Sequence, residues 1–213
     1  MKKNIVFITD NEGKRKEVEQ ILGDKYTIIN IDLDVPNIQS IIVEEVTNEK
    51  IKYIYNLLKK NFNDVIQKFH EKKNIEVKTL KDVIVICEDT GLYIDNMNDF
   101  PGALMNFYLT SIKIDGVIKI NGGSLAKAET VIGVIKYGKI MRPISGSRKG
   151  KIAKKIILND PFGWDSIFIP DLIKTKFPEH DGKTYAELKK IDIKNKISQR
   201  KNAFDIFKKT ILK

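Results

Sequence analysis

Apolar positions along this chain fall into short continuous runs and helically spaced stripes, and their alternation predicts an α/β fold. Asn4 to Thr9 holds the unbroken Ile5-Val6-Phe7-Ile8, the pattern of a strand buried on both faces. Asp10-Asn11-Glu12-Gly13 is turn chemistry, and from Lys14 to Leu22 the spacing becomes helical, with Val18, Ile21 and Leu22 on one face and Gly23 as the stop. Tyr26 to Ile31 reads as a second strand. Glu44 to Lys60 carries Val46, Ile51, Ile54, Leu57 and Leu58 at helical spacing, with Thr47 as a candidate cap. The lysine-rich, weakly periodic 61–82 predicts a helix extension followed by a surface insertion. Val83 to Cys87 is a buried strand expected to stop at Glu88-Asp89-Thr90-Gly91. A helix is expected over Leu104 to Ile120 and a strand over Glu129 to Lys136. Next come a turn at Tyr137-Gly138-Lys139, a return strand to Pro143, and another strand over 150–158. Ser198 to Leu212 closes the chain as an amphipathic helix with Ala203, Ile206, Phe207 and Ile211 inward. The expectation is a mixed sheet with flanking helices in one domain over 1–213, since no linker, repeat or composition break divides it.

Composition narrows the setting. With 42% hydrophobic and 31% charged residues in 213, the chain has enough apolar side chains for a core and enough charge to stay in solution. No uncharged run reaches the roughly 18 residues of a membrane span, so no membrane partner is expected. A single cysteine, Cys87, excludes an internal disulfide framework and multi-cysteine zinc sites, which fits a reducing, cytoplasmic compartment. The formal charge is +10, but it is carried almost entirely by lysine, the arginines being Arg15, Arg142, Arg148 and Arg200. Sequence-specific reading of nucleic acid favours the planar arginine fork, so the charge points to phosphate-bearing small molecules before nucleic acid.

Four clusters carry candidate chemistry. Thr9-Asp10-Asn11-Glu12-Gly13-Lys14 lies between a strand and a helix, where unpaired N–H groups and the helix dipole hold phosphate and Lys14 adds charge; it is equally an ordinary polar turn, and it lacks the P-loop pattern. Glu88-Asp89 at the end of an apolar strand offers hard oxygen ligands for Mg²⁺ and a carboxylate to activate water, or a strand-ending cap. Phe162-Gly163-Trp164-Asp165 combines flat rings with an acceptor for a heterocycle, or forms core packing. Lys194-Asn195 and Ser198-Gln199-Arg200 place a rare arginine at a helix start, where its charge opposes the dipole and an anionic or carbonyl ligand explains it better than helix support, or it is a solvated surface arginine. His70 and His180 are too far apart in sequence for a ligand pair, and Cys87 within an apolar strand reads as a packed thiol.

In this order the clusters resemble the inosine triphosphate pyrophosphatase family. The matching segments are Thr9-Asp10-Asn11 with Lys14 and Glu17, Glu88-Asp89-Thr90-Gly91-Leu92, Phe100-Pro101-Gly102 and Ser147-Arg148-Lys149-Gly150. They continue with Phe162-Gly163-Trp164-Asp165, Lys183-Thr184-Tyr185-Ala186-Glu187, and Ser198-Gln199-Arg200 with Ala203. The resemblance implies an elongated α/β fold with two lobes around a central cleft, usually as a homodimer. It implies hydrolysis of ITP, dITP and XTP to the monophosphate and pyrophosphate with Mg²⁺. Carried over, Thr9, Asn11 and Lys14 hold the triphosphate, with Thr90 beside them, and Lys14 shares in catalysis. Asp89 binds metal and helps to activate water, with Glu88 and Asn37 as further candidate ligands. Phe162, Gly163, Trp164 and Asp165 receive the purine, and Lys194, Gln199 and Arg200 complete its pocket. Four positions depart from the family pattern: Asp10 stands where glycine or serine is usual, Asn37 where a metal-binding glutamate falls, Asn106 for a basic residue and Gln199 for histidine. They leave open a nucleotide-binding relative with little or no turnover.

Overall fold

In the computed structural model, which describes residues 3–73, 79–160, 162–173 and 175–213, the chain builds an eight-stranded mixed sheet among those residues. Its elements in order are β1 (Lys3–Ile8), α1 (Glu12–Leu22), β2 (Tyr26–Ile31), α2 (Val43–Lys73), β3 (Ile84–Ile94) and β4 (Pro101–Gly102). They continue with α3 (Met105–Asn121), β5 (Leu125–Lys136), β6 (Lys139–Ile140), β7 (Ile144–Ile152), β8 (Phe168–Pro170), α4 (Tyr185–Lys190), α5 (Lys194–Ile197) and α6 (Gln199–Thr210). Strand order is β2-β1-β3-β5-β7-β8, with β4 beside β3 and β6 beside β5. The three strands β2, β1 and β3 are parallel, as the strand–helix–strand start requires, and the remaining pairs are antiparallel.

Alternation along β3 sorts its side chains to two faces. Ile84 and Ile86 pack with Val18 and Ile21 of α1 and Phe204 and Phe207 of α6. Val85 and Cys87 pack with Ile51 and Ile54 of α2. Further along the first face, Leu92 and Ile94 join a second core with Met105 of α3, Leu188 of α4 and Ile197 of α5. Two apolar cores thus share one face of the long strands, and the interval between them holds Glu88 and Thr90.

Several expectations are corrected here. β3 does not stop at Cys87: Glu88 to Gly91 stay paired to β5 (Glu88 opposite Ile132, Gly91 opposite Glu129). What ends is β1, whose last paired residue Ile8 lies opposite Cys87, while β4 takes up that edge of β3 only at Leu92. The strand expected over 150–158 is β7, Ile144–Ile152. Ile206 is 43% exposed, and Phe204 takes the inward place. Thr47 lies within α2, its hydroxyl bonding Val43 O at 2.8 Å, and caps nothing. The 61–82 segment begins as the continuation of α2, with a non-helical residue at Asn61; its 74–78 portion and the side chain of His70 lie outside the described residues.

Gly146 of β7 is fixed by packing, because a Cβ there would lie 2.1 Å from Ala203 N and 2.6 Å from Gln199 O. The α6 backbone rests directly on that strand. Gly146→Ala is therefore expected to lower the stability to urea by about 3 kcal/mol, an overpacking cost against backbone that cannot yield; an unchanged unfolding midpoint would contradict this.

Candidate functional site

Asn11 caps α1: its Oδ1 accepts Lys14 N–H at 3.0 Å, and Thr9 Oγ1 accepts Asn11 N–H at 3.1 Å. Both side chains shape the turn at the carboxyl end of β1. Lys14, on the first turn of the helix, donates to Glu88 O at 3.4 Å and lies 3.6 Å from Glu88 Oε1. One turn on, Glu17 is buried, with Arg200 bound to one oxygen and Lys194 Nζ at 2.5 Å from the other.

Arg200 is the hub. Its Nε and Nη2 fork onto Glu88 (3.0 Å to Oε2 and 2.8 Å to Oε1), Nη2 also reaches Thr90 Oγ1 at 3.3 Å, and Nη1 donates to Glu17. Burial opposes its charge, but the two carboxylates outweigh burial and hold the guanidinium above its ordinary pKa. Lys194 lies between Glu17 and Asp165, bonded to both. Burial pushes the Asp165 carboxyl up to about 6, with Lys194 opposing and Glu17 adding to the rise. Glu17 itself is held below its ordinary value: burial acts upward, and Arg200 and Lys194 overcome it. In this structure Arg200 answers two internal carboxylates, Glu17 and Glu88.

Phe162 closes one side. Its ring lies so near the start of α1 that a Cβ on Gly13 would come within 2.2 Å of it, and Lys194 Nζ stands 4.7 Å from its centroid. Gly163 takes a positive φ of 58° at the turn, and Trp164 is half-buried against the second core. Tyr185 OH donates to Gln199 Oε1 at 2.8 Å, both groups buried. A cavity of about 490 Å³ opens between Gly13, Glu17 and Gln20 of α1 and Phe162, Lys194 and Asn195 opposite.

Glu88 and Asp89 part company. As neighbours on a strand they point to opposite faces: Glu88 into the Arg200 network, Asp89 toward α2, where Lys50 Nζ lies 2.6 Å from its Oδ2. The ammonium is the partner of that oxygen as an ion pair. A carboxylate in this place is the kind of hard oxygen ligand that a divalent cation takes. Glu88 does not fit, because Arg200 takes both its oxygens, and Asn37 is exposed in the β2–α2 connection. Among the described residues no cluster of three or more His, Cys, Asp or Glu stands ready for a metal. Cys87 is buried, and burial pushes its thiol up to about 12, with Asp89 adding to the rise; this leaves the thiol inert.

A sequence model of the Ham1 family matches residues 5–210. The chain belongs to the Ham1 family. The chain is 31% identical over 209 residues to the inosine triphosphate pyrophosphatase of Kluyveromyces lactis, covering 95% of this chain and 93% of that one. It is 31% identical over 208 residues to the dITP/XTP pyrophosphatase of Methanopyrus kandleri, covering 95% and 93%. Among solved structures, the Staphylococcus aureus Ham1 protein superimposes with a TM-score of 0.68 at 25% identity, over 99% of this chain and 98% of that one.

Two members of this Ham1 chain's charged site carry no role in the sequence reading, Glu17 entering it only within a matching segment. Lys50 lies four residues from both Val46 and Ile54, within the buried stripe of α2, and Glu17 lies four before Ile21 on α1. A charge within an apolar stripe is the signal that would have found both.

Arg200→Met is expected to cost about 3–5 kcal/mol of stability, because it strands two buried carboxylates; Arg200→Lys should recover little, since an ammonium cannot span both. Guanidinium denaturation measures each. Asp165 yields a pH dependence. Its folded pKa of about 6 exceeds the ordinary value of about 4, so its contribution to stability is complete below about pH 4 and is lost as pH rises through 6. Urea midpoints of wild type relative to Asp165→Asn should accordingly rise from pH 7 to pH 4, and a constant difference would refute the assignment.

Proposed function

We propose that this protein hydrolyses non-standard purine nucleoside triphosphates such as ITP, dITP and XTP, releasing the monophosphate and pyrophosphate, and so clears deaminated purines from the nucleotide pool. The observation that carries the reading is the juxtaposition at the start of α1. A capped helix terminus with Lys14 suits a phosphate chain, and beside that terminus Phe162 and Lys194 border a cavity of about 490 Å³, with Asp165 bonded to Lys194 behind it. Relatives at 31% identity named for these substrates support it.

In this reading the α1 turn, shaped by Thr9 and Asn11, and Lys14 hold the triphosphate, with Thr90 beside them. Phe162 meets the face of the purine, and Gly163 and Trp164 carry that ring on its turn. Lys194 and Asp165 address the purine edge, with Gln199 set by Tyr185. Arg200 acts from behind, holding Glu17 and Glu88 in place. A keto oxygen at purine C6 accepts a hydrogen bond where the amino group of adenine cannot, and a donor left unpaired by the wrong base costs on the order of 1–3 kcal/mol. Asp89 accepts a proton from the attacking water, the water oxygen bonds to the α-phosphorus, and the α–β bridging oxygen leaves with pyrophosphate. Mg²⁺, held by Asp89, would supply charge neutralisation to the phosphates. We assign the protein to the cytoplasm and to a homodimer.

Purified protein with MgCl₂ is expected to release pyrophosphate from ITP at least about tenfold faster than from ATP, and Asp89→Asn should lower the rate by about a hundredfold or more. Equal rates on ITP and ATP, or an unaffected variant, would overturn the reading. The uncharged, exposed Asn37 favours a second one, a nucleotide binder with little turnover. Calorimetric binding of ITP without pyrophosphate release would select it.

A further inference from the structure

The structure assigns a positioning role to Asp160 and Lys189: we propose that this pair seats the Phe162 ring and so sets affinity for the heterocycle without acting on the phosphate chain. It rests on the reading above, in which Phe162 receives the purine.

A ring that stacks on a ligand needs a fixed orientation, and Phe162 sits in a loop whose next residue, Gly163, has little intrinsic hold on the backbone. Asp160 provides the hold. Its Oδ1 accepts the Phe162 N–H at 2.8 Å, and Lys189 Nζ donates to Oδ2 at 2.9 Å and to Oδ1 at 3.3 Å. The same ammonium stands 5.3 Å from the centroid of the Phe162 ring. One carboxylate thus ties the backbone of the aromatic residue to a cation that also approaches its ring.

Both ends of this clamp are anchored. The buried Ser166 hydroxyl accepts the Asp160 N–H at 2.7 Å and donates to Asp160 O at 3.2 Å, which closes the base of the loop. Lys189 belongs to the last turn of α4, where a cation is favoured by the helix dipole. The loop meets α4 a second time through Ala186 N–H to Asp165 O at 2.9 Å. Against Asp160 burial acts upward, but Lys189 and the Phe162 N–H prevail and lower its pKa, so it stays ionised at neutral pH. With the ring pressed on Gly13 at the start of α1, the clamp fixes the distance between the aromatic platform and the helix terminus.

The test separates base from phosphate. For Asp160→Ala, KM for ITP should rise about tenfold, the loss of one charged hydrogen bond and its ion pair, with kcat within about twofold. Inhibition by tripolyphosphate, which has no base, should be unchanged. Asp160→Asn, whose amide oxygen still accepts the Phe162 N–H, should recover most of the loss. Acrylamide quenching of the sole tryptophan, Trp164, should increase in the alanine variant without any nucleotide present. An unchanged KM, a parallel loss of tripolyphosphate inhibition, or unchanged quenching would overturn the proposal. A wild-type protein inactive on ITP would defeat the functional reading alone, and the quenching arm still tests the clamp.

Discussion

The architecture depends on the bonding of one buried guanidinium to two buried carboxylates. Glu17 comes from α1, Glu88 from β3 and Arg200 from α6, and Lys194 of α5 extends the set to Asp165. Moving such groups out of water is costly, and their mutual attraction offsets this only when geometry is good and every lone pair is used. The forked contact on Glu88, the third bond to Glu17 and the Lys194 bond give each of the four carboxylate oxygens a charged donor. In return, three elements distant in sequence are held in one register at the seam between two apolar cores, where hydrophobic contact alone would leave their relative positions loosely specified.

The segments around this network serve it. Arg148 Nε donates to Ile197 O at 2.8 Å, at the end of α5, and Asn202 Nδ2 donates to Ser147 O at 2.8 Å, so the Ser-Arg-Lys-Gly run of β7 braces the α5–α6 junction that presents Gln199 and Arg200. Thr184 and Glu187 form a reciprocal cap that starts α4 next to Asp165. Segments that enter the sequence reading only as matches to the family are, at these positions, supports of the charged network.

Local pattern alone was enough for the first strand–helix–strand unit, and Tyr26–Ile31 matches β2 end to end. It failed where distant partners reverse a local signal. Glu-Asp-Thr-Gly has turn composition, yet β5 supplies its ladder bonds, Arg200 neutralises Glu88, and a Cβ on Gly91 would collide with Val43 and the Gly102 backbone. Gly146 and Gly150 look like breakers, yet β7 runs through both because α6 and β8 approach too closely for a side chain. In the site, Lys14, Asp165, Lys194 and Arg200 were legible as chemistry. Their mutual pairing was not, since it is set by tertiary contacts.

The open stretch of β3 beyond the end of β1 has a geometric consequence. Lys14 reaches the strand from the face that carries Glu88, and Asp89 projects from the reverse face. A single molecule that touches both must wrap around the unpaired rim of β3. Reach along the molecule, more than its surface area, then decides what can bridge the two sides.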